Sequence, residues 1–161
     1  MKVLFLDFDG VLNSAASFKY EHRRKTVHIG NTLSAVNCSN LQYILEQDRD
    51  VKLVISSTWR LLHSMVELQN TLNGYGVEAA RIIGKTPRVL SAHRGHEIKL
   101  WLDENPNVTK FAIVDDDPVA ESGLFTETEN DPRGIFVDTA DNDGLQLRQA
   151  IEIAKFFRGE K

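Results

Sequence analysis

A single cysteine, Cys38, rules out an internal disulfide framework and a cysteine-based metal cluster in this chain of 161 residues. Cys38 is expected to act as a small buried hydrophobe. Long apolar runs are missing as well, and none approaches membrane-spanning length. The start, Met1-Lys2 followed at once by a strand-like run ending in acids, is too short and too polar for a signal peptide. These absences lead to the expectation of a cytoplasmic protein away from membranes. Nor is there an excess of basic residues. The formal net charge of -4 argues against a general nucleic-acid coat protein and leaves anion recognition to a local patch. Internal repeats and low-complexity segments are also lacking. What is there, 42% hydrophobic and 26% charged residues, is the balance of one soluble globular domain over residues 1–161.

The stretch Val3 to Asn13, V-L-F-L-D-F-D-G-V-L-N, concentrates the chemistry. Val3 to Leu6 is a continuous apolar run, as expected of a strand covered on both faces of a parallel sheet. Asp7 and Asp9 flank Phe8 at strand spacing, so their carboxylates are expected to converge while Phe8 turns to the core. Gly10 allows a sharp turn just beyond. Two acids crowded at a strand end repel unless a cation lies between them, and hard oxygen donors suit Mg²⁺. The plainer alternative makes Asp7 a cap and Asp9-Gly10 a hairpin turn, but Val11 to Ala16 offers no second alternating strand.

Further along, residues 14–30 form a polar segment with the basic and aromatic run Phe18 to His28, expected to be a flap near Asp7 that receives an anion, or else a merely solvated loop. Asn31 to Gln47 has helical spacing, with Asn31 or Thr32 as cap. Val51 to Ile55 reads as a strand ending on Ser56-Ser57-Thr58, followed by one helix from Trp59 to about Leu72. Hydroxyls at a strand end that opens a helix make an anion site, or one of them simply caps the helix. Ala80 to Gly84 is a short predicted strand, Arg94 opens a helix that stops near Asn105-Pro106, and Phe111 to Val114 is a strand ending on Asp115-Asp116-Asp117. Asp117 is expected to be a cap, with Pro118 at the start of a short helix. Gly134 to Val137 is the fifth strand. Gly144 to about Phe157 is an amphipathic closing helix.

Strands alternating with helices predict an α/β Rossmann-like domain: a parallel five-stranded sheet with helices on both faces and its site outside the carboxyl ends of the strands. Three of those ends carry Asp7/Asp9, Ser56/Ser57/Thr58 and Asp115/Asp116. D-F-D-G-V at Asp7 to Val11, the hydroxyl of Ser56 after an apolar strand, a basic residue at the head of a later helix, and I-V-D-D at Ile113 to Asp116 resemble the four motifs of the haloacid dehalogenase (HAD) superfamily of phosphohydrolases. The motifs come in that superfamily's order and span essentially the whole chain. More narrowly, Ile55 to Arg60 together with Arg94-Gly95, Glu97-Ile98 and Trp101-Leu102 are similar to members grouped with RNA-repair end-processing enzymes, including the phosphatase half of polynucleotide kinase-phosphatase.

The resemblance implies a Mg²⁺-dependent phosphatase in which Asp7 attacks phosphorus to form an aspartyl-phosphate that water then hydrolyses. Asp9 would act as general acid and base. Mg²⁺ would be held by Asp7, the backbone carbonyl of Asp9, and Asp116 or, as second choice, Asp115. Ser56 would hydrogen-bond a phosphate oxygen, with Ser57, Thr58 and Gly10 completing the substrate-binding set. Arg94, or in its place Lys99 or Lys85, would supply the basic residue. Trp59, Trp101 and Phe8 are expected in the core, and His63, His93 and His96 at the surface.

Neither the span from Asn13 to Val51 nor that from Arg60 to Arg94 leaves room for a full cap domain. An open site suits a large substrate such as a nucleic-acid end, for example one with a 3′-phosphate, or a phosphoprotein, and the basic aromatic flap favours the first; a small phosphorylated metabolite or nucleotide is the alternative. The rival readings are a phosphoryl-accepting module of the response-regulator receiver type and a catalytically inactive binding module on the same fold. The first would need an acceptor aspartate where this chain has Ile83-Gly84-Lys85.

Overall fold

The computed structural model describes residues 1–14, 33–125 and 130–160. Its centre is β1 (Lys2–Leu6), whose alternate side chains serve two cores. Leu4 and Leu6 pack with Leu53, Ile55, Ala112 and Val114 on one face. Val3 and Phe5 pack with Val54, Phe111 and Ile113 on the other. A strand buried on both faces must be apolar throughout, which is why the run reads as continuous rather than alternating.

Around β1 stand β2 (Val51–Ile55), β3 (Ile82–Lys85), β4 (Lys110–Asp115) and β5 (Gly134–Asp138), all parallel, in the order β3-β2-β1-β4-β5. The direction of winding reverses beside β1, and crevices for ligands open there, outside the carboxyl ends. The register brings three residues level: Leu6 pairs with Ile55 on one side and Val114 on the other. Asp7, Ser56 and Asp115 therefore leave the sheet side by side. The Asp7 N–H donates to Val114 O (3.1 Å) and the Ser56 N–H to Leu6 O (3.0 Å), carrying the pairing past the strand ends.

Helices α1 (Ala35–Gln47), α2 (Trp59–Leu62), α3 (Met65–Gly74), α4 (Arg94–Glu104) and α5 (Leu147–Arg158) complete the fold. Leu41, Ile44 and Leu45 of α1, Leu68 and Leu72 of α3, and Ile153 and Phe157 of α5 cover the Leu4 face. Ile98, Trp101 and Leu102 of α4, with Ala120 from a short 3₁₀ turn at Pro118–Glu121, cover the Val3 face. Asp117 caps that turn, accepting the Val119 N–H at 2.9 Å. Cys38 is fully buried on α1, and burial pushes its thiol up to about 12.

The structure corrects three sequence expectations. The helix expected from Trp59 to Leu72 is two helices, α2 and α3, because Ser64 starts a new one: its hydroxyl accepts the Glu67 N–H while Glu67 accepts the Ser64 N–H. That reciprocal capping box outweighs the continuing apolar pattern. Ala80-Arg81 belongs to a 3₁₀ turn (Ala79–Arg81) ahead of β3. The closing helix begins at Leu147, while Leu145 is buried in the loop before it. Ser34 caps α1, accepting the Asn37 N–H at 3.3 Å. The expected caps Asn31 and Thr32, and the flap at 14–30 apart from Ser14, lie outside the described residues. Among the described residues, the span from α2 to α4 holds α3, the 3₁₀ turn and β3, and no cap domain.

Candidate active site

Asp7 and Asp115 sit at neighbouring strand ends, Asp7 only 3% exposed and Asp115 wholly buried, with Asp116 more open to solvent. One oxygen from each of Asp7, Asp115 and Asp116 lies within 4.8 Å of the others. Such a trio of carboxylates repels itself. Burial, and then the charge of Asp7, push the Asp115 carboxyl up to about 7, and the same two causes raise Asp116. Crowded hard oxygens whose charge is underneutralised are a fit for a divalent cation such as Mg²⁺, so these residues suit the ion that the sequence resemblance implies.

The protein's own counter-charge is Arg94, the first residue of α4. Its Nη1 donates to Asp7 Oδ2 at 2.7 Å and to Asp115 Oδ2 at 2.5 Å. Burial works against the guanidinium charge, but Asp7 and Asp115 more than offset it and hold Arg94 above its ordinary value. The two lysines weighed beside it lie elsewhere: Lys85 donates to the carbonyl of Arg60 (3.1 Å), and Lys99 borders a separate depression with Gly123 and Asp131.

Asp9 is placed differently from the expectation that its carboxylate would converge with that of Asp7. β1 ends at Leu6, so strand alternation no longer governs residues 7–9. The exposed Asp9 carboxylate instead accepts from Asn13 Nδ2 (2.8 Å) and Trp59 Nε1 (3.0 Å), and it is not part of the trio. Trp59, read from sequence as a core residue, is only half-buried: it packs on Phe8 and also holds Asp9. Gly10 adopts φ +73°, and a Cβ there would fall on the Asp116 carboxylate. Glycine is required twice over, for the left-handed turn and for the close approach. The turn is pinned by the Gly10 N–H to Asn13 Oδ1 (2.9 Å) and by Thr139 Oγ1 to Gly10 O (2.8 Å).

Ser56 is wholly buried, and its Oγ has no hydrogen-bond partner. A dry, unpaired hydroxyl is costly, by about 1–3 kcal/mol, and is kept where a ligand satisfies it. Ser57 Oγ accepts the Trp59 N–H at 3.3 Å, while exposed Thr58 makes no side-chain cap. With α2 only four residues long, the helix-dipole contribution expected at these hydroxyls is small.

A buried ion pair unseen in the sequence braces this end of the sheet. Arg60 donates to the carbonyls of Ser56 (2.8 Å), Ser57 (2.9 Å) and Thr86 (3.1 Å) and pairs with Glu97 on α4 at 2.5 Å. Burial lowers the Arg60 pKa, with Glu97 acting in the opposite sense.

A parallel sheet with the order 3-2-1-4-5 and acids at the ends of β1 and β4 is an α/β domain with its site at the carboxyl ends of the strands, as the resemblance to the HAD superfamily implies. More narrowly, the chain belongs to the family described as the HAD domain in Swiss Army Knife RNA repair proteins, whose model matches residues 3–150. In fold it is similar to the HAD domain of effector protein Lem4 from Legionella pneumophila, with a TM-score of 0.56 at 16% identity over 98% of this chain and 92% of that one. It is also similar to the ribosomal RNA small subunit methyltransferase I of Pasteurella multocida (strain Pm70), 28% identical over 130 residues. That match takes in 80% of this chain, which spans 45% of the Pasteurella protein. No helix among the described residues is long and apolar enough to cross a membrane.

Proposed function

We propose that the chain is a Mg²⁺-dependent phosphomonoester hydrolase acting through an aspartyl-phosphate, with a phosphorylated nucleic-acid end as substrate. The observation that carries this reading is the trio Asp7, Asp115 and Asp116 with Arg94 bonded to two of its members. A carboxylate nucleophile, an anion-binding cation and a hard-metal donor set occur together at one strand edge.

Asp7 supplies the oxygen that attacks phosphorus, and the ester P–O bond breaks as the new P–O bond to Asp7 forms. Asp9, held off the trio by Trp59 and Asn13, gives its proton to the leaving oxygen. It then takes a proton from water, whose oxygen displaces the Asp7 carboxylate and releases inorganic phosphate. Arg94 and the free hydroxyl of Ser56 orient the phosphoryl oxygens and offset the charge that builds on them. Asp7, Asp115 and Asp116 would hold Mg²⁺, which when bound supplies further neutralisation between two anions.

The RNA-repair description of the family supports a nucleic-acid end as substrate. The methyl transfer in the Pasteurella protein's name is not carried over, since acids crossed by an arginine suit a phosphate and a hard cation. The test is phosphate release from an aryl phosphate and from a 3′-phosphorylated oligonucleotide, with and without Mg²⁺. The reading requires Mg²⁺-dependent release by the wild type and loss of at least about a thousandfold in Asp7→Asn. Equal release by both proteins would overturn it.

A further inference from the structure

We infer that the cleft leading from Arg94 between residues 88–93 and α2 receives the leaving group of the phosphate ester. Arg88 there selects a leaving group with a second anion, the adjoining phosphodiester of a nucleic-acid strand. This rests on the phosphohydrolase reading and adds to it a subsite and a selecting residue.

Two depressions of opposite character lie beside the site, one edged by Asp116 of the trio and the other by Arg94, which pairs with Asp7 and Asp115. The first, of about 430 Å³, is edged among the described residues by Asp116, Asp141 and Asp143, whose charges disfavour the body of an anionic substrate. The other, of about 410 Å³, includes Arg94 and Arg88 in its wall and falls within the size range of ligand sites. Its two carboxylates are already engaged: Glu97 with Arg60 and the Val89 N–H, Asp117 with the Val119 N–H. Arg94 gives its Nη1 to Asp7 and Asp115 and its other donors to the transferred phosphoryl group. Exposed Arg88 forms no ion pair or side-chain hydrogen bond among the described residues, which leaves its five donors for a ligand.

The same cleft gathers exposed apolar surface. Leu61, Leu90 and Val119 are 42%, 80% and 36% exposed, and they are three of the eight large apolar side chains exposed among the described residues. Apolar surface beside an uncommitted arginine matches a base next to a phosphate. A phosphorylated metabolite with a small polar leaving group would leave Leu61 and Leu90 uncovered.

The wall is preformed. Arg60 holds the carbonyls of Thr86 and Pro87, and Glu97 holds the Val89 N–H at 2.9 Å. Ser91, with φ 64°, is the one non-glycine residue with positive φ among the described residues. Such strain persists where surrounding contacts enforce it, and it recurs at ligand clamps. The pair that fixes this wall also fixes the carbonyls of Ser56 and Ser57, so phosphate site and cleft keep one relative position.

The test measures equilibrium binding to Asp7→Asn protein in Mg²⁺ with three probes: inorganic phosphate, a 3′-phosphorylated dinucleotide and a phosphoserine peptide. Aryl phosphate turnover by the wild type is measured in parallel. The dinucleotide should bind about tenfold tighter than phosphate and tighter than the peptide. Adding Arg88→Ala should reduce that dinucleotide-to-phosphate ratio about tenfold. Arg49→Ala, which removes the same charge at the opposite end of the sheet, should leave the ratio as it was. A dinucleotide no tighter than phosphate, a ratio insensitive to Arg88, or preference for the phosphopeptide would each overturn the subsite. If any of these occurs while the wild type still turns over aryl phosphate, the subsite alone fails. Absence of both turnover and binding would sink the hydrolase reading with it.

Discussion

At the scale of single residues, the site is built from groups whose local comfort has been given up. Ser56 shows this most clearly, since its hydroxyl is buried without a partner. Ser56→Ala should leave thermal stability unchanged or raised, because an unsatisfied polar atom is removed, while phosphate turnover falls about a hundredfold. Melting curves and steady-state rates check this, and a fall in stability without loss of rate would make Ser56 a packing residue only. Asp7, Ser56 and Asp115 are legible in the sequence because each ends an apolar run. The partners that set their neighbours are not. Asp9 is turned by Trp59, fifty residues away, and Arg60 meets Glu97 across thirty-seven, separations that local patterning does not encode. Extending strand alternation past the end of β1 at Leu6 misplaces Asp9.

At the scale of elements, α4 matters because it carries Arg94 to the trio. It lies close against the 3₁₀ turn after β4: a Cβ on Gly95 would stand 2.9 Å from the carbonyl oxygen of Ala120, with the backbone of Ser122 nearer still. Helix propensity alone favours Gly95→Ala by about 1 kcal/mol, whereas the clash with backbone costs about 1–3 kcal/mol. The substitution should therefore destabilise in urea titration and lower activity by shifting Arg94. A stabilised variant would contradict this packing. Strand β2 is readable to its last residue, since V-K-L-V-I stands between a polar turn and three hydroxyls. The break between α2 and α3 escapes the sequence reading although Ser64 and Glu67 stand at capping-box spacing, because the apolar residues Leu61, Leu62, Val66 and Leu68 continue through it.

At the scale of the whole molecule, register and winding bring acids from two strands into one buried place, and the charge there sets how the protein responds to pH and metal. Without metal, burial and the charge of Asp7 push the Asp115 carboxyl up to about 7, above the ordinary aspartate range. Its protonated form thus contributes stability that is complete at low pH and lost as pH rises through about 7. Mg²⁺ needs the ionised form, so the rise in melting temperature on adding Mg²⁺ should be large at about pH 8 and shrink at about pH 6. Asp115→Asn should flatten both trends, and a metal shift independent of pH would contradict them. The claim on which everything else depends is that Asp7 becomes phosphorylated. Asp9→Asn, which slows release of the phosphoryl group, makes that step visible: after incubation with an aryl phosphate and Mg²⁺ and an acid quench, peptide mass spectrometry should find phosphate on Asp7. Phosphate on another residue, or none while the wild type still turns over, would contradict it.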